Sequence, residues 1–242
     1  MKLSDFKVLT FDCYGTLIDW ETGLYEGLRP LLEKRGGDLS RDAVLQAYAR
    51  HESEQQVTTP EMPYSQLLAV VYTRLANEWG VAIHRSEANI FGASVPDWPA
   101  FADSAAALAY LKQHFRLVIL SNVDRLSFRG SNARLQVEFD AIYSAQDIGA
   151  YKPSARNFHY MLEHLRAEFG FGRQDVLHVA QSLFHDHARA NEMGLASAWI
   201  NRRHNQAGWG ATTAPGKIPH VDFEFVSLEA LARAHRAELA AR

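Results

Sequence analysis

The 242-residue chain is 47% hydrophobic and 22% charged, long enough for one well-packed domain with room for a sizeable insertion. Its formal net charge of −3 leaves no basic excess for nucleic acid and no polybasic stretch for a membrane surface. Its single cysteine, Cys13, excludes an internal disulfide. The polar start "MKLSDFKVLTF" does not read as a signal peptide, and no apolar run approaches the roughly 20 residues that span a bilayer. A soluble, cytoplasmic protein is the expectation, with no nucleic-acid or membrane partner.

Short β-rich runs lie at "KVLTF" (7–11), "RLVIL" (116–120), "AIYSA" (141–145), "VLHVA" (176–180) and "SAWIN" (197–201). Helical stretches separate the later ones: "DSAAALAYLKQHF", "KPSARNFHYMLEHLRAEFG" with Pro153 near its first turn, and "DHARANEMG" closed by Gly194. Alternation of this kind predicts an α/β fold with a parallel sheet covered on both faces. The first interval is far longer than one crossover helix needs. It holds "LYEGLRPLLEKRG", "RDAVLQAYARHESEQQ" and "YSQLLAVVYTRLANEWG", all with amphipathic helical spacing. A Rossmann-like core, residues 1–19 and 98–242, is therefore expected to carry a helical cap at 20–97. "SVPDWPAF" (94–101) would be a stiff return linker.

In a parallel sheet, ligands bind beyond the carboxyl ends of the strands. The first strand ends at Asp12 and the second at Ser121 and Asn122; "DIGAYKP" with Lys152 follows the third, and "QSLFHD" with Asp186 follows the fourth. Four strand ends thus bring two carboxylates, a lysine and two small hydrogen-bonding side chains to one edge.

These motifs, "DCYGTL", "SN", "YKP" and "QSLFHDHARANEMGL", in this order and with an insertion between the first two, resemble the haloacid dehalogenase superfamily over nearly the whole chain. The resemblance implies a Rossmann-like core, a mobile turn and cap, and Asp12 as nucleophile. Most of that superfamily are magnesium-dependent phosphatases, with a second aspartate two residues after the nucleophile as general acid and another carboxylate for the metal. Here those places hold Tyr14 and Gln181, and a neutral amide is a poor magnesium ligand. The branch that fits is the L-2-haloacid dehalogenases, whose motif reads Asp-x-Tyr-Gly-Thr-Leu. It implies metal-independent and cofactor-independent chemistry: Asp12 displaces halide from C2 of a short 2-haloalkanoic acid, and water hydrolyses the aspartyl ester.

By the same resemblance Lys152 keeps Asp12 ionised, and Asp186 fixes Lys152 and helps to activate water. Thr16 and Ser121 hydrogen-bond the nucleophile, Asn122 binds the substrate carboxylate, and Arg50 from "YARHESEQQ" stands near the leaving halide. Tyr14, Trp20 and Phe184 shape the pocket, and Gln181 with Ser182 takes over water positioning. The family has asparagine where this chain has Leu183 and tyrosine where it has Phe158, so the substrate need not be a simple 2-chloro acid. The same chemistry suits a strained cyclic amino acid such as azetidine-2-carboxylate, whose ring nitrogen is already protonated. A magnesium-dependent phosphatase and a non-catalytic scaffold are the alternatives. A homodimer through the cap helices is expected. Read singly, Asp12 is a turn former, Lys152 a loop lysine, Asp186 a helix N-cap and Arg50 a solvated helix position. His185 and His187 lie two apart, on different faces of a helix, so no metal site is expected there.

Overall fold

The computed structural model describes residues 1–241. Six strands form one parallel sheet: β1 (Val8–Phe11), β2 (Arg116–Ser121), β3 (Ala141–Ser144), β4 (Val176–Ala180), β5 (Ala196–Ile200) and β6 (Phe223–Phe225). The first five fall on the runs marked in the sequence. β6 has only three residues, too few for a period to show. The order is β3-β2-β1-β4-β5-β6, so the chain winds outward from β1 in both directions and the order reverses beside it. That reversal is where a parallel sheet opens a crevice.

The side chains of β1 alternate between two packed layers. Leu9 and Phe11 join Leu117, Ile119, Leu177 and Val179, whereas Val8 joins Val118, Leu120 and Val176. Burial on both faces explains why the strand reads as a nearly unbroken apolar run. Period two sends Cys13 into the first layer, where it is fully buried, and puts Thr10 and Asp12 on the side of Val8.

Between β1 and β2 lie α1 (Trp20–Arg35), α2 (Arg41–Thr58), α3 (Tyr64–Glu78) and α4 (Arg85–Gly92). The carboxylate of Asp19 and the hydroxyl of Ser40 cap α1 and α2 by accepting the N–H groups of Thr22 and Ala43. Leu24, Leu28 and Leu31 of α1 and Leu67, Leu68, Val71 and Leu75 of α3 are buried, as their spacing predicts. α4 spans eight residues and was not legible from its short apolar pattern. The segment 94–101 makes a 3-10 turn at Val95–Asp97 and then pairs with the outgoing chain. There Asp19 N–H donates to Pro99 O (2.8 Å) and Phe101 N–H to Leu17 O (3.0 Å).

The remaining helices are α5 (Ser104–Leu111), α6 (Arg125–Leu135), α7 (Ala145–Ile148), α8 (Ala155–Phe169), α9 (Ala188–Glu192) and α10 (Leu228–Ala240). The stretch expected as one helix from Asp186 starts earlier, with a π turn at Leu183–His187. Its cap is Ser182, whose Oγ accepts His185 N–H at 3.0 Å. Asp186 is consequently no N-cap: the wide turn holds it fully buried. Among the described residues, no helix is long and apolar enough to cross a membrane.

Candidate active site

Just past β1 the chain folds back sharply: Leu17 N–H and Ile18 N–H both donate to Cys13 O, at 2.8 and 3.0 Å. This turn needs a glycine. Gly15 has φ +93°, and a Cβ there would stand 2.9 Å from Trp20 Nε1, so any side chain is strained and crowded. The fold-back brings Thr16 over Asp12, where its hydroxyl donates to Asp12 Oδ2 at 2.8 Å. Thr16 Oγ1 in turn accepts Gln181 N–H (2.9 Å), tying the end of β1 to that of β4.

Lys152 enters from the turn after α7. Its ammonium donates to Asp12 Oδ1 (2.8 Å), Asp186 Oδ1 (2.8 Å) and Leu120 O (2.9 Å), which uses all three of its N–H groups. The lysine is 1% exposed and Asp186 not at all. Asn122 fixes the lysine backbone from both sides, accepting Lys152 N–H at 2.7 Å and donating to Lys152 O at 3.0 Å. Behind Asp186, His178 Nε2 donates to Oδ1 at 2.9 Å and His178 Nδ1 meets Thr10 Oγ1 at 2.9 Å. A buried polar chain thus runs from β1 through β4 to both carboxylates.

The inserted helices close the other side. Trp20 of α1, Glu52 and Gln56 of α2 and Tyr64 of α3 line the same cavity as Asp12, Ser121 and Lys152. Its volume is about 30 Å³, the room of two or three waters, since one water needs roughly 10–15 Å³ on this measure. Glu52 is 3% exposed. Its Oε1 accepts the hydroxyls of Tyr48 (2.9 Å) and Tyr64 (2.7 Å).

The charges follow from burial and neighbours. Burial raises Asp12, and Lys152 and Thr16 pull it back only in part, so its carboxyl stays above the ordinary value. Burial also raises Asp186, but Lys152 and His178 overcome this and hold it far below the usual carboxylate range. Lys152, opposed by burial, is raised by the two carboxylates. Burial pushes Glu52 up to about 7, against the pull of the Tyr64 and Tyr48 hydroxyls. It pushes His185 down to about 4, with Asp186 opposing.

Most of the residues singled out in the sequence meet here: Asp12, Tyr14, Trp20, Ser121, Asn122, Lys152, Ser182 and Asp186 line one cavity, and Thr16 holds Asp12 from behind. Tyr14 presents its ring and ties its hydroxyl to Ser131 Oγ at 2.9 Å. The Asn122 amide, expected to meet a substrate carboxylate, is engaged by Lys152, and the Ser182 hydroxyl by His185. Ser121 Oγ and Asp186 Oδ2 are buried without a protein partner among the described residues.

Three residues stand elsewhere. Arg50, expected beside a leaving group, points outward from α2 and pairs with Glu78 at 2.8 Å, its side chain 52% exposed. It lies two residues from Glu52, about 200° around the helix, so the two occupy opposite faces. Phe184 lines a separate groove with Tyr151 and Pro153. The Gln181 side chain faces a neighbouring cavity with Arg202 and Arg203, and its Oε1 accepts Thr212 Oγ1 at 3.4 Å. Glu52, Gln56, Tyr64, His185 and Thr212 complete the wall; none of them was singled out as a site residue in the sequence, where His185 was weighed only as a metal ligand and set aside. The signal for two of them was Tyr48, Glu52 and Gln56 at intervals of four, one helical face.

Magnesium, implied by the phosphatase branch, does not fit these donors. It wants several oxygens around one point, yet Asp12 and Asp186 both turn Oδ1 to the Lys152 ammonium, and Tyr14 and Gln181 offer no carboxylate. Among the described residues, no cluster of three or more His, Cys, Asp or Glu side chains is placed to hold a metal.

The family of haloacid dehalogenase-like hydrolases matches residues 6–180, and the chain belongs to it. No curated protein sequence matches significantly. Solved structures share the fold along almost the whole chain. The L-2-haloacid dehalogenase PA0810 has a TM-score of 0.76 at 22% identity, over 98% of this chain and 100% of that one. The defluorinating L-2-haloacid dehalogenase Rha0230 has 0.78 at 17%, over 97% and 98%. The L-2-haloacid dehalogenase of Xanthobacter autotrophicus, with chloropropionic acid covalently bound, has 0.75 at 18%, over 96% and 98%.

Proposed function

We propose that this hydrolase acts without a metal on small 2-substituted carboxylates, in the manner of an L-2-haloacid dehalogenase. The observation that carries the reading is the Lys152 ammonium shared between Asp12 and Asp186. It provides an ionised nucleophile and leaves no room for a cation between the carboxylates. Asp12 attacks C2 from the side opposite the leaving group, halide departs with the bonding pair, and an aspartyl ester forms. A water then attacks the carbonyl carbon of that ester. Its collapse releases a 2-hydroxy acid of inverted configuration and restores Asp12. Lys152 keeps Asp12 charged against desolvation, and the free Oδ2 of Asp186 is the group offered to the hydrolytic water. The solved dehalogenase structures support the halide reading. The Glu52 carboxyl favours a second leaving group, the protonated nitrogen of a strained ring.

The test is halide release from L- and D-2-chloropropionate and from fluoroacetate in EDTA, beside hydrolysis of p-nitrophenyl phosphate with magnesium. Release from the L-isomer in EDTA, abolished in Asp12→Asn, is the expected result. Phosphate hydrolysis alone would overturn the reading. Assembly as a homodimer through the inserted helices belongs to the same proposal, and light scattering should give twice the chain mass.

A further inference from the structure

Glu52 is an unusual wall for a site that takes a carboxylate. It stands on the side of the inserted helices, facing the cavity that Asp12 closes from the sheet side. Oε1 takes both tyrosine hydroxyls, and Oε2 has no protein partner among the described residues. Among the described residues, Lys152 is the only lysine or arginine lining the cavity, and all three of its N–H groups are spent. A 2-haloalkanoate would thus add an anion to a pocket that already holds Asp12, Asp186 and Glu52 and that offers, among the described residues, no free cation to receive it. Like charges in a desolvated site repel strongly. A zwitterion adds no net charge, and its ammonium finds an acceptor waiting.

We infer that Glu52 is a specificity residue that receives a protonated substrate nitrogen, so that the site prefers small cyclic amino acids to simple halogenated acids. This rests on the reading of Asp12 as the displacing nucleophile. In-line displacement requires the leaving group to point away from Asp12, toward the inserted helices, where Glu52 stands. The step balances without an acid. An Asp12 oxygen bonds to C2, the C2–N bond breaks, and its electron pair goes to nitrogen. The ring nitrogen already carries two protons and departs as a neutral primary amine on the opened chain. Ring strain supplies the drive, so a ring of three or four atoms is the reactive class. Tyr14 in place of an acid, with its hydroxyl tied to Ser131, suits this departure. Hydrolysis of the ester then gives an amino-substituted 2-hydroxy acid. The neutral groups on the wall, the Ser121 hydroxyl and His185 Nε2, both buried without a protein partner among the described residues, are free to meet the carboxylate.

The test separates charge from shape and needs no turnover. L-proline and (S)-tetrahydrofuran-2-carboxylate share ring size and carboxylate, but only proline carries a ring NH2+, and neither ring is strained enough to open. Calorimetry on the wild-type protein at pH 8 should show proline binding about tenfold tighter or more, the effect of one charge-assisted hydrogen bond in a buried site. Glu52→Gln should bring the two ligands within about twofold by weakening proline alone. Equal binding by the wild type, no detectable proline binding, or a preference that survives in Glu52→Gln would overturn the inference. The wild-type comparison decides even where the variant fails to fold. A wild-type protein that prefers proline yet releases no product from azetidine-2-carboxylate would keep the role of Glu52 and sink the displacement reading instead.

Discussion

Lys152 shows how much one side chain settles here. Two carboxylates share its ammonium in a buried site, so removing it leaves two anions with no counter-charge and drives both toward protonation. Lys152→Met should lower turnover by about 10²- to 10⁴-fold. It should also cost about 3–5 kcal/mol of stability, as breaking a buried pair does. Halide release and urea unfolding read the two effects separately. Glu52 works in the opposite sense. Its raised value, about 7, means that the folded protein holds a proton which the unfolded chain releases, so stability falls as pH rises from the unfolded value through 7. Glu52→Gln should therefore stabilise the unliganded protein at pH 8, and should leave it little changed at pH 5. Apart from Asp12, across the cavity, the groups facing Glu52 do not move in this range. Burial keeps Tyr48 and Tyr64 protonated well above 10, and Tyr151 likewise; Asp186 stays anionic, Lys152 cationic and His185 uncharged. Between pH 6 and 8 the affinity for proline should rise about tenfold as Glu52 ionises, whereas KM for 2-chloropropionate should worsen over the same range. A Glu52→Gln variant with the same slopes would assign the titration to Asp12.

At the scale of one element, α2 explains what sequence reading recovers and what it misses. A helix turns 100° per residue, and the buried face of α2 carries Val44, Leu45 and Tyr48, then Glu52, Gln55 and Gln56. Its second half is polar, so hydropathy gives no inward side, and the sequence reading took Arg50 and passed over Glu52. Only packing against Tyr64 and Trp20 reveals which face turns in. Arg50→Ala should consequently leave kcat/KM within about twofold and cost less than about 1 kcal/mol, the range of an exposed ion pair. A large loss of activity would mean that α2 rotates during the reaction. The π turn at Leu183–His187 is a similar case. Regular helical spacing from "FHDHARA" gives no hint of the widened turn that buries Asp186 and aims His185 at the cavity.

Across the whole molecule, the sheet side of the site was legible because strand ends are: Asp12, Ser121, Lys152 and Asp186 follow from where four apolar runs stop. Thr10 and His178 were hidden inside runs that read as plain strands, and their partnership depends on β1 lying beside β4. Of the wall from the inserted helices only Trp20 was singled out, and the spacing of Tyr48, Glu52 and Gln56 was passed over, since the side that turns inward depends on how these helices settle against the sheet. That contact has a consequence for turnover. The cavity is about 30 Å³, too tight to seat a substrate, so seating one should require the inserted helices to shift. Their contacts with the rest of the chain include Ser65 N–H to Asp124 Oδ2 (2.9 Å), the Tyr151 hydroxyl on Met62 O, Ser53 Oγ with Thr213 Oγ1 (2.7 Å), and Glu21 with Arg203 (2.6 Å) and Ala211 N–H (3.0 Å). Only two short segments connect them to the sheet, paired at Leu17–Phe101 and Asp19–Pro99, an arrangement suited to a hinge. The side-chain oxygens of Ser53 and Thr213 stand 2.7 Å apart, which makes these positions the choice for a cysteine cross-link, and the one native cysteine, Cys13, is buried. Oxidised Ser53→Cys/Thr213→Cys protein should lose nearly all multiple-turnover activity, and dithiothreitol should restore it. Full activity with the bond intact would show that substrate reaches Asp12 by another route, and would remove the hinge from the mechanism.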